Sequence, residues 1–284
     1  MSLASEADYD VVIIGSGVGG GAIALSLAKT GARVLILERG ERLPREAENW
    51  SPEAVFVEQR YRTRETWYDW DGQPFRPGQF YFVGGHTKVY GTAMFRFRER
   101  DFEGIEHAEG TTVPWPIRYA DLEPWYGEAE QLFGVHGEAG EDPTEPPRST
   151  PYPHAPIPHE PIIAKAFERM RALGLHPFHM PSAVDLHAGG SCIRCGTCDA
   201  FPCRIGAKGD AETRLIDPAL KHANVALQTG SEVTRLVADD NGKRIVGAHY
   251  RRNGATASVS ARLFVLSAGA INSAALLLRS ADTR

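Results

Sequence analysis

An α/β fold built on a Rossmann-like parallel sheet is predicted by three features of this 284-residue chain. The apolar run Asp10-Val11-Val12-Ile13-Ile14 reads as a short buried strand. Gly15-Ser16-Gly17-Val18-Gly19-Gly20-Gly21 reads as a glycine turn that opens a helix over Ala22 to Thr30, and Glu38 closes the next apolar run. Strand, glycine turn, helix and a following acid about 20 residues on form the βαβ unit that binds dinucleotides.

Each position has a physical task in that unit. Gly15 allows the tight turn off the strand, Gly17 lets backbone approach phosphates without a Cβ between, and Gly20 lets helix pack on strand. Ser16, Val18 and Gly19 complete the loop whose amides meet the pyrophosphate at the helix N-terminus. Glu38, with Arg39 beside it, is expected at the ribose; its carboxylate accepts from a hydroxyl pair and repels a 2′-phosphate.

Composition narrows the class. With 42% hydrophobic and 24% charged residues the chain has an ordinary globular balance, long enough for one large or two smaller domains. A net charge of -5 provides no basic field for nucleic acid, and the patch Arg96 to Arg100 reads as solvated faces or cofactor-side contacts. Acidic and small residues precede the first strand, so no leader is expected, and cytoplasm is the expected location. The longest apolar stretch, Leu263 to Leu278, is broken by Asn272 and too short to span a bilayer, so no membrane span is expected.

Further along, Arg39 to Phe80 loses periodicity and reads as a long excursion over the nucleotide domain. Phe80 to Phe95 then carries Gly84-Gly85-His86-Thr87 after an apolar run, which suits a backbone loop pressed on a flat or phosphorylated ligand, or a hairpin turn. Asp121 to Phe133 has helical spacing, with Asp121 as cap and Leu122, Trp125, Tyr126, Ala129, Leu132 and Phe133 as the core face. Gly137 to Pro161 reads as an irregular arm in which His154 and His159 are solvent-facing; Pro161 to Leu173 is an amphipathic helix.

All four cysteines fall in Cys192 to Cys203, spaced CxxCxxCx₄C. Two-residue gaps let Cys192, Cys195 and Cys198 converge on one centre, with Cys203 completing an iron–sulfur or zinc set; disulfides or packed thiols are the other readings. Glu212 to His222 reads as a helix. Val225 to Thr229, Ser231 to Val237, a turn at Asp239 to Gly242, and Arg244 to Arg251 make strands of a β-meander. Leu263 to Ser267 is another buried strand, and Ala268-Gly269 opens a closing helix.

The opening fingerprint, the Gly84-Gly85 loop, Val113-Pro114-Trp115-Pro116-Ile117 before Asp121 to Tyr126, and Ala268-Gly269-Ala270-Ile271-Asn272-Ser273 together resemble the glucose-methanol-choline oxidoreductases. The likeness runs over most of the chain and is greatest to bacterial sugar- and polyol-oxidising branches. It implies FAD as cofactor, held non-covalently because Val89 stands where an attaching histidine falls in covalent members. It further implies that Gly84, Gly85, His86 and Thr87 lie against flavin and pyrophosphate, that Val233 meets the adenine through its backbone, and that Ala268 and Gly269 return to the cofactor. His86 and Tyr90 depart from the usual residues. The implied domains are a discontinuous FAD-binding domain, 1–110 and 204–284, around an incomplete cap or substrate region, 111–203. Some membrane-associated relatives carry an iron–sulfur centre in this region with different cysteine spacing.

The family's catalytic histidine segment belongs to the last third of the protein, and none of the ten histidines here sits in a segment resembling it. The expectation is therefore an amino-terminal part of an alcohol- or sugar-oxidising flavoenzyme, with no catalytic residue of its own, completed by a carboxy-terminal segment or partner chain. One alternative is an electron-transfer module with a cluster and no substrate oxidation. A nicotinamide-dependent dehydrogenase is the other, which needs neither the Gly84 loop nor the Gly269 return.

Overall fold

Strand β1 (Tyr9–Ile14) lies at the centre of the computed structural model, which describes residues 7–281. Residues 1–6, carrying most of the segment on which the leader expectation rests, lie outside the described residues, as do residues 282–284 at the end of the expected domain span. From Val11 to Ile14 β1 is buried on both faces, the condition that turns a parallel strand into an unbroken apolar run. It leads through the glycine turn into α1 (Val18–Ala28), then to β2 (Val34–Leu37). The later strands are β3 (Val225–Gln228), β4 (Glu232–Ala238), β5 (Ile245–Arg252) and β6 (Ala255–Leu266).

These six form one sheet in the order β4-β5-β6-β1-β2-β3. β1 pairs in parallel with β2 and β6, and β2 with β3, while β4, β5 and β6 form an antiparallel meander. The expected strand Leu263 to Ser267 is only the end of β6. Its first half pairs with β5, after which Ala261 to Leu266 runs beside β1. The β5–β6 turn is Asn253-Gly254, both at positive φ, a hairpin pair that the sequence reading passed over.

Alternation sorts the core onto two faces. Val11, Ile13, Val34 and Ile36 meet Ala24 and Ala28 of α1 together with Ile216 and Ala219. Val12, Ile14, Leu35 and Leu37 meet Val233, Leu236, Ala248 and Leu276, the last from the closing helix α4 (Ala270–Ser280). The expected helix from Glu212 begins as a π-helical turn, Glu212–Ile216, and continues through Asp217–Ala219. Among the described residues no helix is long and apolar enough to cross a membrane.

The described chain divides into two compact units. One runs to Tyr90 and includes Thr197–Arg204 and everything from Asp210; the other comprises Gly91–Gly196 and Ile205–Gly209. In the second unit α2 (Tyr119–Phe133) is capped by Asp121 reaching back to the Arg118 amide at 2.9 Å. Of the expected face Phe133 is buried, but Trp125 is 66% exposed and Leu132 38%, and Tyr119, Gly127 and Glu130 are buried instead. The buried face carries the partner of a buried arginine. Arg96, expected at a solvated face or near the cofactor, is 4% exposed and bonds both Glu130 oxygens at 2.8 and 2.9 Å. The face of a helix that supplies a carboxylate to such a cation is invisible to apolar periodicity.

Helix α3 (Pro161–Ala172) forms as expected. His154 and His159 are not simply solvent-facing. The His154 ring stacks on His136 and His187, with centroids 4.8 and 5.0 Å away, and His159 stacks on His179 at 4.1 Å. His159 Nε2 is buried and finds no hydrogen-bond partner, while His179 Nδ1 lies 2.7 Å from Glu141. Burial first, and then the charge of His179, hold the His159 pKa below its ordinary value of 6.5.

Gly20→Ala is expected to cost at least about 2 kcal/mol of stability in a denaturant titration, because overpacking here meets backbone. A Cβ at Gly20 would sit 2.0 Å from the Gly15 carbonyl oxygen and 3.1 Å from Ile13 Cγ2. Since the folded protein favours neutral His159, its contribution is complete above pH 6.5 and is lost as pH falls through the lower folded value. Thermal melts across that window should show a shallower acid loss for His159→Phe than for the parent; equal slopes would count against this origin.

Candidate functional site

The carboxyl ends of β1, β2 and β6 open onto one cleft of about 610 Å³, within the first unit. Crevices outside the carboxyl ends of parallel strands are where such sheets take ligands, and the volume is in the usual small-molecule range. Of the predicted cofactor residues, Gly15, Ser16, Gly17, Val18, Gly19, Glu38, Arg39, Gly84, Gly85, His86, Thr87, Val233, Ala268 and Gly269 all line it. Gly20 does not; its place is the strand–helix contact.

The turn after β1 exists because of a close approach. Gly15 has φ 99°, and a Cβ there would lie 2.4 Å from the Ser267 carbonyl oxygen at the end of β6. Gly17 caps α1 without a side-chain bond, and the first turn of α1 holds no acid. The amides there, with the positive end of the helix dipole, are suited to an anion. A Cβ at Gly17 would meet no protein atom within 4 Å, so the space beside it is open to a ligand. A second uncapped N-terminus, Gly269 before α4, lines the same cleft.

Glu38 ties the walls together. Its Oε2 accepts from the Ser16 amide at 3.0 Å and the Ser16 hydroxyl at 2.6 Å, and its Oε1 from the Gly40 amide at 2.8 Å. The Ser16 hydroxyl in turn accepts from the Gly84 amide at 3.2 Å. Ser16 is thus committed to protein rather than to a ligand through its side chain. Glu38 retains acceptor capacity, because a carboxylate offers about four lone-pair positions.

Arg39 lies over the Tyr81 ring, 3.8 Å from its centroid, and bonds Glu65 at 2.6 Å. Tyr81 donates to the other Glu65 oxygen at 2.7 Å; burial, then that carboxylate, push its pKa up to about 12, so the phenol keeps its proton. Gly84 and Gly85 have φ 91° and 57° and begin a 3₁₀ turn, Gly85–Lys88. Thr87 donates to the Gly84 carbonyl at 2.6 Å and accepts from the Ala211 amide at 2.9 Å, so its hydroxyl also serves the loop. His86 Nε2 sits 3.0 Å from Gln79 Oε1. Gln79, Ser231, Ser267, Asn272 and Arg279 line the cleft without having been predicted; single polar residues in loops and on the closing helix give no distinctive pattern.

The cysteines fare differently. None of Cys192, Cys195, Cys198 and Cys203 is in a disulfide, and among the described residues no three His, Cys, Asp or Glu side chains gather as a metal ion would need. The convergence expected for an iron–sulfur or zinc centre is thus not formed among the described residues.

The family described as GMC oxidoreductase matches residues 9–282. The chain is 37% identical to a 6'''-hydroxyparomomycin C oxidase of Streptomyces lividus, covering 96% of this chain and 50% of the relative. It is 36% identical to a paromamine 6'-oxidase of Streptomyces fradiae, covering 97% and 50%. The chain therefore spans about half the length of these curated relatives. In fold it is similar to pyridoxine 4-oxidase from Mesorbium loti, with TM-score 0.59 and 22% identity over 96% of this chain and 52% of that one.

Gly17→Ala is expected to leave the ligand-free melting temperature unchanged yet to weaken dinucleotide binding by about tenfold or more, since its methyl group would occupy only ligand space. Calorimetric titration beside a melt separates the two; a matching loss of stability would contradict this use of Gly17.

Proposed function

The chain belongs to the GMC oxidoreductase family, and we propose that it is the FAD-binding part of an oxidoreductase that removes hydride from the CH–OH group of a small alcohol or sugar. The observation that carries this is the meeting of two glycine loops and two uncapped helix N-termini on one cleft. The residues fit FAD: the open space at Gly17 admits a pyrophosphate against the α1 amides, Glu38 has acceptor capacity for ribose, and Val233 and the Gly84–Gly85 loop line the remaining walls. When bound, FAD supplies the hydride acceptor.

The chain's own residues bind and orient. Glu38 holds the Ser16 turn and discriminates against a 2′-phosphate, and the Arg39–Tyr81 pair offers a flat cationic wall. Relatives named for oxidation of paromamine and for dehydrogenation of 2-methyl-1,2-propanediol support an alcohol or sugar as the substrate class. His86, the one imidazole in the cleft among the described residues, is engaged with Gln79. We assign the general base that takes the alcohol proton to a carboxy-terminal part or partner outside these residues, in keeping with the relatives' greater length. The first unit is then the FAD-binding domain, and the second belongs to the cap.

Apoprotein mixed with FAD should bind one flavin, show two perturbed flavin absorption bands and gain ~2.7 kcal/mol of stability at a hundredfold excess over Kd. A colourless protein with no thermal protection would refute the assignment. The 284-residue chain alone, loaded with FAD, should oxidise neither simple polyols nor sugars; turnover by it would show that the base lies within it.

A further inference from the structure

Behind the double-glycine loop, and not among the cleft-lining residues, lies a buried cation that cofactor binding as described does not use. Lys88, 6% exposed, places Nζ 2.9 Å from Asp210 Oδ2 and 2.5 Å from Glu212 Oε2. Glu212 Oε1 also receives Arg42 at 2.5 Å, and Arg42 reaches Asp217 at 2.9 Å. Burial alone would lower the Lys88 pKa, but the two carboxylates outweigh it and hold the amine charged. A well-packed apolar side chain serves stability about as well as such a pair, so what the ions add is a fixed geometry.

That geometry acts on the cleft wall. Lys88 ends the turn that starts at Gly85, and a Cβ at Gly84 would already lie 3.0 Å from both Glu212 N and Lys88 Cδ. On the other side a Cβ at Gly85 would lie 3.3 Å from Gly17 Cα. Thr87 accepting from the Ala211 amide fastens the same turn to the same segment. The loop is thus pinned between residues 210–212 behind it and the Gly17 turn in front.

We propose that Lys88 is a positioning residue for the cofactor: drawn back by Asp210 and Glu212, it sets the depth at which the Gly84–Thr87 wall stands in the cleft. This rests on the FAD reading above, in which that wall faces flavin and pyrophosphate while Glu38 and Val233 face adenosine. Loss of the tether moves the wall and leaves the adenosine end in place.

The test uses the 284-residue apoprotein and two probes, FAD and AMP. Lys88→Met combined with Asp210→Asn keeps the local charge balance. It is expected to weaken FAD binding by about tenfold while AMP affinity stays within about twofold of the parent and the flavin visible spectrum shifts. Should that variant fail to fold, Glu212→Gln retains the Lys88–Asp210 pair and should show the same selective loss, about threefold. Equal weakening of both probes would reduce Lys88 to a structural role, and unchanged FAD affinity would remove any role; either outcome overturns the proposal. A parent protein that binds AMP but no FAD would instead refute the flavin reading, and the proposal with it.

Discussion

The cleft depends on one buried carboxylate. Glu38 is 6% exposed, and a charge so placed is tolerable only because three donors from two segments of chain converge on it. Those donors fix the turn after β1 and the strand exit after β2, and the Ser16 hydroxyl carries the constraint on to Gly84, 68 residues later. Three stretches without regular structure of their own thereby acquire one arrangement. Removing the carboxylate would strand two amides and a hydroxyl in a buried place, so the bonds define the ligand space before any ligand contributes to it.

Why those stretches meet at all is a matter of topology. β1 and β2 run parallel, so both end at the same edge of the sheet, and the long β6 changes role midway to finish there too. Its last residue before the turn, Ser267, donates its amide to the Ile14 carbonyl at 2.8 Å. Gly15 passes so close to the Ser267 carbonyl that a side chain cannot fit. Two helices therefore begin at one edge, each presenting amides without side-chain caps. That amides suited to an anion gather at this edge follows from the strand order.

Local signals made this unit legible. A doubly buried parallel strand leaves a continuous apolar run, a helix that must approach it leaves glycines, and the Asp239 to Gly242 turn follows from its residue types. What escaped was set by partners distant in sequence. The buried face of α2 was hidden because Glu130 pairs with Arg96, and the histidine stacks bring together His154 and His187, or His159 and His179, from either side of α3. For the cysteines the reason is the opposite: spacing is local, but convergence also needs a backbone path that spacing does not specify, and among the described residues the thiols do not gather. Ser16 reads as a cofactor-loop residue, whereas its hydroxyl links Glu38 to Gly84, a partner no local pattern announces.

Both units place ions where apolar residues would have packed. Arg96 with Glu130, and Arg148 with the same carboxylate at 2.9 Å, organise the second unit as Lys88, Asp210 and Glu212 organise the loop support of the first. Desolvation makes such clusters poor sources of net stability, but a misplaced ion is far more costly than a misplaced methyl group. A chain with long aperiodic stretches has few other means of excluding near-native packings. In the segment from Gly84 to Lys88 there is no strand ladder or long helix to set register, and an apolar contact could slide by a fraction of an ångström at little cost. An ammonium group between two carboxylates cannot, because each displacement loses a charge-assisted bond in a buried place.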